Sequence, residues 1–357
     1  MNMNNRIDRV LSRMQQANLE QMIVSDINSI NYLTGIRIYP GERLYVLLLK
    51  KDGQHTFFFN RLFGEQKTDF NVVWYNDGED AISEIVKHLN VSKTVGIDKE
   101  WPAKFLIPLL ESNSHIKVKQ ASSCIDDVRA VKDAEEIELM RIASQINDEV
   151  IQNAMKHVRT GMSEKELARF VDSEYLRLGA DGNSFSTDVS FGANAADPHH
   201  FTSDYRLHDN ELVLIDMGCI RKGYCSDMTR TFFNKSVTDE ERKVYEIVRK
   251  ANETAESMIR PGVKLSDLDR AARKIISDEG YGEYFTHRLG HFIGQNVHEQ
   301  GDVSSFNDNV CVPGMIFSIE PGIYLPGKFG VRIEDLVLVT EEGCEVLNHV
   351  SKDIKII

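Results

Sequence analysis

The sequence predicts an α+β protein of two domains, and three observations lead there. The chain has 357 residues, more than one compact core usually organises. Its first third alternates short apolar runs with amphipathic segments, the pattern of a small α/β layer domain. The remainder twice follows one plan: a long helix, an R-x-G break, a shorter capped helix ending in glycine, then strands.

In the first third, QMIVSD, RLYVLLLKK, HTFFFN, VVWYND and TVGID read as buried strands, being rich in β-branched and aromatic residues. IDRVLSRMQQ, EDAISEIVKHL and WPAKFLIPLLES read as helices. The polar stretch QASSCIDDVRAVKD carries the boundary, which is placed to give domains 1–124 and 125–357. The second domain opens on a helix from Ala134 to Val158, stopped by Arg159-Thr160-Gly161, after which Ser163-x-x-Glu166 caps a second helix. Farther on, a helix from Asp239 to Ile259 ends at Arg260-Pro261-Gly262, and Ser266-x-x-Asp269 opens another that ends at Gly280. The two stretches read as an internal duplication of about 100 residues. The plainer alternative is two similar helix hairpins by chance.

Composition narrows the function classes. Lys and Arg number 42 against 55 Asp and Glu, a net charge of −13, which disfavours nucleic acid and anionic membrane as partners. The N-terminal MNMNNRIDRVLSRM reads as an amphipathic helix rather than a secretory leader, and no apolar run reaches membrane-spanning length. Five scattered cysteines, mostly in apolar runs, read as free buried thiols of a cytoplasmic protein. The offsets of Cys219 and Cys225 from Asp216 and Asp227 are read as pointing those thiols to the opposite strand face.

The chemistry is carried by Asp216, Asp227, His291, Glu320 and Glu334, set in LIDMG, CSDMTR, RLGHFIG, FSIEPG and VRIEDL. Four carboxylates in strand-like runs are costly near a core unless something positive neutralises them. Two divalent cations would do so, and the set reads as a two-metal hydrolytic site. Glu211 to Cys219 and Tyr224 to Phe233 are strand-like, with a turn between them. A turn at Arg221-Lys222 puts Asp216 and Asp227 directly opposite, with Cβ atoms about 5 Å apart; a turn at Lys222-Gly223 makes them diagonal on the same face. The oxygen-rich set suits Mn²⁺, Co²⁺, Fe²⁺ or Zn²⁺. Taken singly, Asp216 or Glu334 is more often a salt-bridged carboxylate, and His291 a hydrogen-bonded structural histidine. The reading rests on all five together.

IDMG, SDMTR, HRLGHFIGQNVHE, SIEPGIYLPG and GVRIEDLVLVT closely resemble the pita-bread metallopeptidases, the family of methionine aminopeptidase, aminopeptidase P and prolidase. The resemblance runs from about Ile125 to Ile357. The N-terminal part, with SDINSINYLTGI, is similar to the creatinase-type domain of prolidases and aminopeptidases P, and IYPGERL resembles short bacterial prolidases. It implies a pita-bread C-terminal domain of pseudo-twofold αββ repeats behind a smaller α/β creatinase-type domain. It also implies that Asp216 chelates one metal, that His291 and Glu320 bind the other, and that Asp227 and Glu334 bridge them. His199 and His298 match histidines that face substrate, and His287 another pocket histidine. His200 falls where the family varies, and a surface role suits it at least as well. HEQG departs from the HE-x-P of many relatives.

The implied activity is hydrolysis of the Xaa-Pro bond of dipeptides by a hydroxide bridging two metals, most readily Mn²⁺, in a cytoplasmic homodimer. Glu320 is the expected proton carrier, with His199 or His298 polarising the carbonyl. Arg332 is expected either to bind the substrate carboxylate or to support the ligands through a salt bridge. Arg43, in the Pro40–Arg43 loop, is a second carboxylate partner, expected to reach a neighbouring subunit's site. The alternative activity is aminopeptidase P, acting on longer Xaa-Pro peptides. A non-catalytic interaction module on the same scaffold is the remote alternative, disfavoured because all five ligand positions are intact.

Overall fold

A computed structural model describes residues 3–357, and the chain divides into two compact units, residues 1–129 and 130–357. The division falls a few residues past the expected boundary at 124. The helix Ser123–Ala130 explains the difference: its Cys124, Ile125 and Val128 pack into the core of the first unit.

The first unit is a six-stranded mixed sheet in the spatial order 71–75, 56–60, 46–50, 21–24, 95–97, 118–120. All five strands read from the sequence are present, and Val118–Gln120 adds a short edge. The near-continuous apolar runs are explained by burial on both faces. Leu47, Leu49, Phe57 and Phe59 meet the helices Met3–Gln16, Ile27–Thr34 and Ser123–Ala130. Val46, Leu48 and Phe58 meet Ala81–His88 and Ala103–Ser112 on the other face. The Ile27–Thr34 helix, which strand-and-helix patterning did not show, is nucleated by its ends. Asp26 accepts from the Asn28 and Ser29 amides, and Gly35 closes it at φ 72°.

The second unit carries the two helix pairs. Ala134–His157 and Glu164–Arg177 form one, Asp239–Met258 and Leu265–Asp278 the other. Three of the four start in full capping boxes: Asp133 with Glu136, Ser163 with Glu166, and Thr238 with Glu241. The expected Ser266 cap is not one. The helix begins at Leu265 behind Lys264, Ser266 Oγ donates to Asp308 at 2.7 Å, and Asp269 instead pairs with Arg273.

Strands follow each helix pair. Asp188–Phe191, Leu212–Met217 and Met228–Phe233 form an antiparallel sheet after the first. After the second comes a five-stranded sheet in the order 299–303, 290–292, 316–319, 335–339, 344–346, together with the hairpin of Gly322–Leu325 and Phe329–Arg332. This is the α+β fold with repeated helix–strand halves. Among the described residues no helix is long and apolar enough to cross a membrane.

Candidate metal centre

The hairpin that holds the two aspartates turns at Lys222-Gly223, both with positive φ (46° and 83°), the backbone signature of a tight two-residue turn. Arg221 therefore faces Tyr224, and Asp216 faces Thr229. Asp216 and Asp227 are diagonal neighbours on one face, the second of the two registers the sequence allowed. Pairing lapses between the two short ladders, at Gly218 and again at Ser226 and Asp227. A Cβ on Gly218 would collide with the Ser226 carbonyl and Ser184 Oγ, so glycine is needed there for the strands to approach. Cys225 lies an even two residues from Asp227, so strand parity does not separate them as expected. Its Sγ nonetheless turns to the Gln295 carbonyl at 3.6 Å, and Cys219 Sγ to that of Ala143 at 3.5 Å. All five cysteines are thiols.

His291 sits on the strand Gly290–Phe292 at a bulge in its pairing with Glu299–Val303. Its Nδ1 faces the Phe292 carbonyl at 3.2 Å, a bond that needs a hydrogen on that nitrogen and leaves Nε2 as the atom that would meet a metal. With protein groups alone, burial lowers the imidazole, but Asp227 and Glu320 outweigh it and raise it. Nε2 lies 3.4 Å from Asp227 Oδ2 and 3.5 Å from Glu320 Oε1, longer than a direct charge-assisted bond of about 2.7–2.9 Å. A Cβ on Gly290 would collide with the Ser318 carbonyl, which marks how closely the neighbouring strand passes. Glu334 Oε2 accepts from Thr229 Oγ1 at 2.7 Å. Ligand atoms of Asp227, His291 and Glu334 all lie within 4.8 Å of one another.

These groups line one cleft of about 470 Å³, together with Asp216, Glu320, His199, His287, His298 and Arg332. The fold thus gathers nine of the ten residues singled out from the sequence. Arg43 is not among the lining residues. It belongs to the first unit, where it forms a two-point bond to Asp77 (2.8 and 2.7 Å) and an ion pair with Glu42 at 3.0 Å.

Arg332 takes the supporting part of its two expected roles in its hydrogen bonding. Nη2 donates to Asp216 Oδ2 at 2.7 Å, Nε to Thr229 Oγ1 at 2.9 Å and Nη1 to the Tyr324 hydroxyl at 3.0 Å. Tyr324 OH in turn reaches His287 Nε2 at 2.9 Å, while His287 Nδ1 meets the Arg288 carbonyl at 2.7 Å. Tyr324 and Thr229 escaped the sequence reading. Thr229 had a signal, since it lies two residues beyond Asp227 on an extended segment. Tyr324 had none short of the hairpin register that sets Gly322 against Arg332. His200 is half-buried, and its Nε2 meets the buried Glu164 Oε2 at 2.9 Å.

The donors fit divalent metal ions on their own chemistry. Burial raises Asp216 against the lowering pull of Arg332, and pushes Asp227 up to about 7 although His291 opposes it. Glu334 is raised well above the carboxylate range, first by burial and then by Asp227, Glu320 and Asp216. Protein groups alone therefore leave these carboxylates short of positive charge, which dications supply. Asp216 Oδ1 is buried with no hydrogen-bond partner, an orphan acceptor that a cation would satisfy.

The model described as metallopeptidase family M24 matches residues 138–341, and that of the creatinase/prolidase N-terminal domain matches residues 6–131. The chain belongs to metallopeptidase family M24. An uncharacterized peptidase of Staphylococcus aureus is 39% identical to this M24 chain over 355 residues, 97% of the chain and 99% of the relative. Among solved structures, a prolidase from Thermococcus sibiricus is 34% identical with a TM-score of 0.95, each chain covered in full. An X-Pro aminopeptidase from Thermotoga maritima is 30% identical with a TM-score of 0.86, covering 98% of this chain and 99% of its own. The second unit is thus the M24 pita-bread domain, the first the creatinase-type domain, and the family implies divalent metal ions.

Proposed function

We propose that this M24 peptidase is an Xaa-Pro dipeptidase with a dinuclear centre. The observation that carries the reading is the buried Asp227–His291–Glu334 cluster, flanked in one cleft by Asp216 and Glu320. Asp216, Asp227, His291, Glu320 and Glu334 would hold two divalent ions, of which manganese suits the oxygen-rich set. When bound, such ions acidify water and polarise a carbonyl.

The remaining work falls to the chain's own groups. Glu320 accepts the attacking water's proton on a carboxylate oxygen as the C–O bond forms, and delivers it to the proline nitrogen as the C–N bond breaks. That nitrogen carries no hydrogen of its own in an Xaa-Pro bond, so delivery is required for departure. His298 is held near 4 by burial, aided by the charges of His291 and Arg288. It is thus a neutral donor to the carbonyl oxygen, with exposed His199 on the cleft wall as the second candidate. Replacing Glu320 by Gln lowers kcat by about 10²–10⁴-fold, the contribution of a positioned acid–base group. Near-normal turnover in that variant removes Glu320 from the mechanism.

A dipeptide also presents a carboxylate close to the scissile bond. Of the two guanidiniums lining the cleft, Arg332 is committed to Asp216, whereas Arg288 is exposed. Arg288 is the carboxylate partner in this reading. Hydrolysis of Ala-Pro and Ala-Pro-Ala by the manganese-loaded protein tests the specificity. Faster cleavage of Ala-Pro is expected, and a preference for the tripeptide replaces the reading by aminopeptidase P. The working form in this reading is a cytoplasmic homodimer, for which a monomeric mass in solution by light scattering is the contrary result.

A further inference from the structure

Glu164 is the first residue of the helix Glu164–Arg177, and its side chain is 0% exposed. A buried carboxylate needs strong compensation. All the partners found for it come from one segment across the sheet end, residues 191–203. Oε1 accepts from the Phe191 amide at 2.9 Å and from Asn194 Nδ2 at 2.8 Å. Oε2 accepts from the Ser203 amide at 2.8 Å and hydroxyl at 2.6 Å, and meets His200 Nε2 at 2.9 Å. Burial would raise this carboxyl, yet the bonds from Asn194, Ser203, His200 and Phe191 outweigh it and leave the group below its ordinary value.

The segment so held contains His199, which lines the metal cleft. Its backbone is fixed at the Asp197 side chain, the His199 amide donating to Oδ1 at 2.9 Å. The neighbouring His200 ring turns to Glu164 instead. The Gly192–Ala196 turn lies against the strand that bears Arg332, and a Cβ on Gly330 would strike the Ala195 carbonyl. The segment is thus seated on the strand beneath and tied down at one buried carboxylate.

We propose that Glu164 is a positioning residue for His199: it closes residues 191–203 into a rigid loop that presents the His199 imidazole to the cleft. The inference rests on the reading that places His199 at the substrate. Glutamine at position 164 keeps the volume but turns one oxygen into a donor facing donors, on either the Phe191–Asn194 or the Ser203–His200 side. A displacement of about 1 Å at a substrate-positioning group can cost 10²-fold in rate.

The test is a double-mutant cycle on manganese-loaded full-length protein with Ala-Pro, using E164Q, H199A and E164Q/H199A. The expected outcome is a fall in kcat/KM of about 10–100-fold for each single variant, with the double variant no worse than H199A alone and manganese content unchanged. A merely structural Glu164 would lower activity by the same factor in both backgrounds, and that additivity overturns the proposal, as does full activity in H199A. Amide hydrogen exchange on the same proteins gives a reading independent of catalysis: E164Q should lose protection in residues 186–205 and little elsewhere. Equal protection in E164Q and wild type overturns the anchor even where no peptide is cleaved, while an inactive wild type counts against the peptidase reading. Should E164Q fold poorly, N194A and H200A each remove one bond to Glu164 from the loop side, and unchanged kcat/KM in both overturns the proposal.

Discussion

The side chain that decides the electrostatics of the cleft is Arg332, 5% exposed and tied to Asp216, Thr229 and Tyr324. Through Thr229 it also reaches Glu334, so one guanidinium orients two carboxylates of the donor set. Groups that orient metal ligands commonly change affinity by about 10–100-fold when lost. Arg332→Lys keeps the charge but not the three-way fork, and should weaken manganese binding by about that range in a calorimetric titration. A raised KM with manganese affinity intact would instead assign Arg332 to substrate. The opposite pattern is expected at Arg288, which is exposed and without a carboxylate at ion-pair distance among the described residues. Arg288→Ala should raise KM for Ala-Pro about tenfold, worth ~1.4 kcal/mol, with manganese binding unchanged. The five residues of the candidate donor set, which meet in one cleft, were legible because each sits in a short glycine-marked apolar run where a charge is out of place. Tyr324 and Glu164 were not legible, because a buried tyrosine and a helix-start glutamate are ordinary in sequence. Only the three-dimensional register shows what they hold.

At the scale of elements, the hairpin 212–233 does the positioning. The sequence left two turns open, and backbone conformation chose Lys222-Gly223, because both central residues of such a turn need positive φ and Gly223 supplies one of them without strain. Lys222 takes the other at φ 46°. A side chain in that region costs roughly 1–2 kcal/mol, and asparagine tolerates it better. Lys222→Asn should therefore stabilise the protein by roughly 0.5–1 kcal/mol, seen as a higher denaturant midpoint with kcat/KM unchanged. Gly218 works in the other direction, since any Cβ there meets the Ser226 carbonyl, one residue from Asp227. Gly218→Ala should splay the strands at the two aspartates and reduce bound manganese measured by elemental analysis. Retention of wild-type stoichiometry would show that the hairpin relaxes without moving its carboxylates. The helix pairs were readable from capping residues and R-x-G breaks. Ser266 misled because a serine three residues before an aspartate also serves a loop contact, here to Asp308.

Across the whole molecule, the donor set lies entirely within residues 130–357, so this unit bears the cost of holding its carboxylates together. That cost depends on pH. An unfolded aspartate titrates near 3.8, whereas folding raises Asp227 to about 7, with burial as the leading cause. Between those values this carboxyl holds its proton in the folded, metal-stripped protein and has lost it in the unfolded chain, so its contribution to stability falls as pH rises. Glu334 and Asp216 shift the same way. Divalent ions reverse the preference, because they favour the ionised carboxylates and displace the protons. Metal at a hundred times its dissociation constant stabilises by about 2.7 kcal/mol, a rise in Tm of roughly 5–10 °C for a unit of this size. The difference in Tm between manganese-loaded and chelator-treated protein should therefore widen from pH 5 to pH 8, and Asp227→Asn should flatten much of the slope of the stripped form. A constant or narrowing difference would mean that the carboxylates are already neutralised by the protein itself, through Arg332 and His291, and that the cluster needs no metal to stay folded.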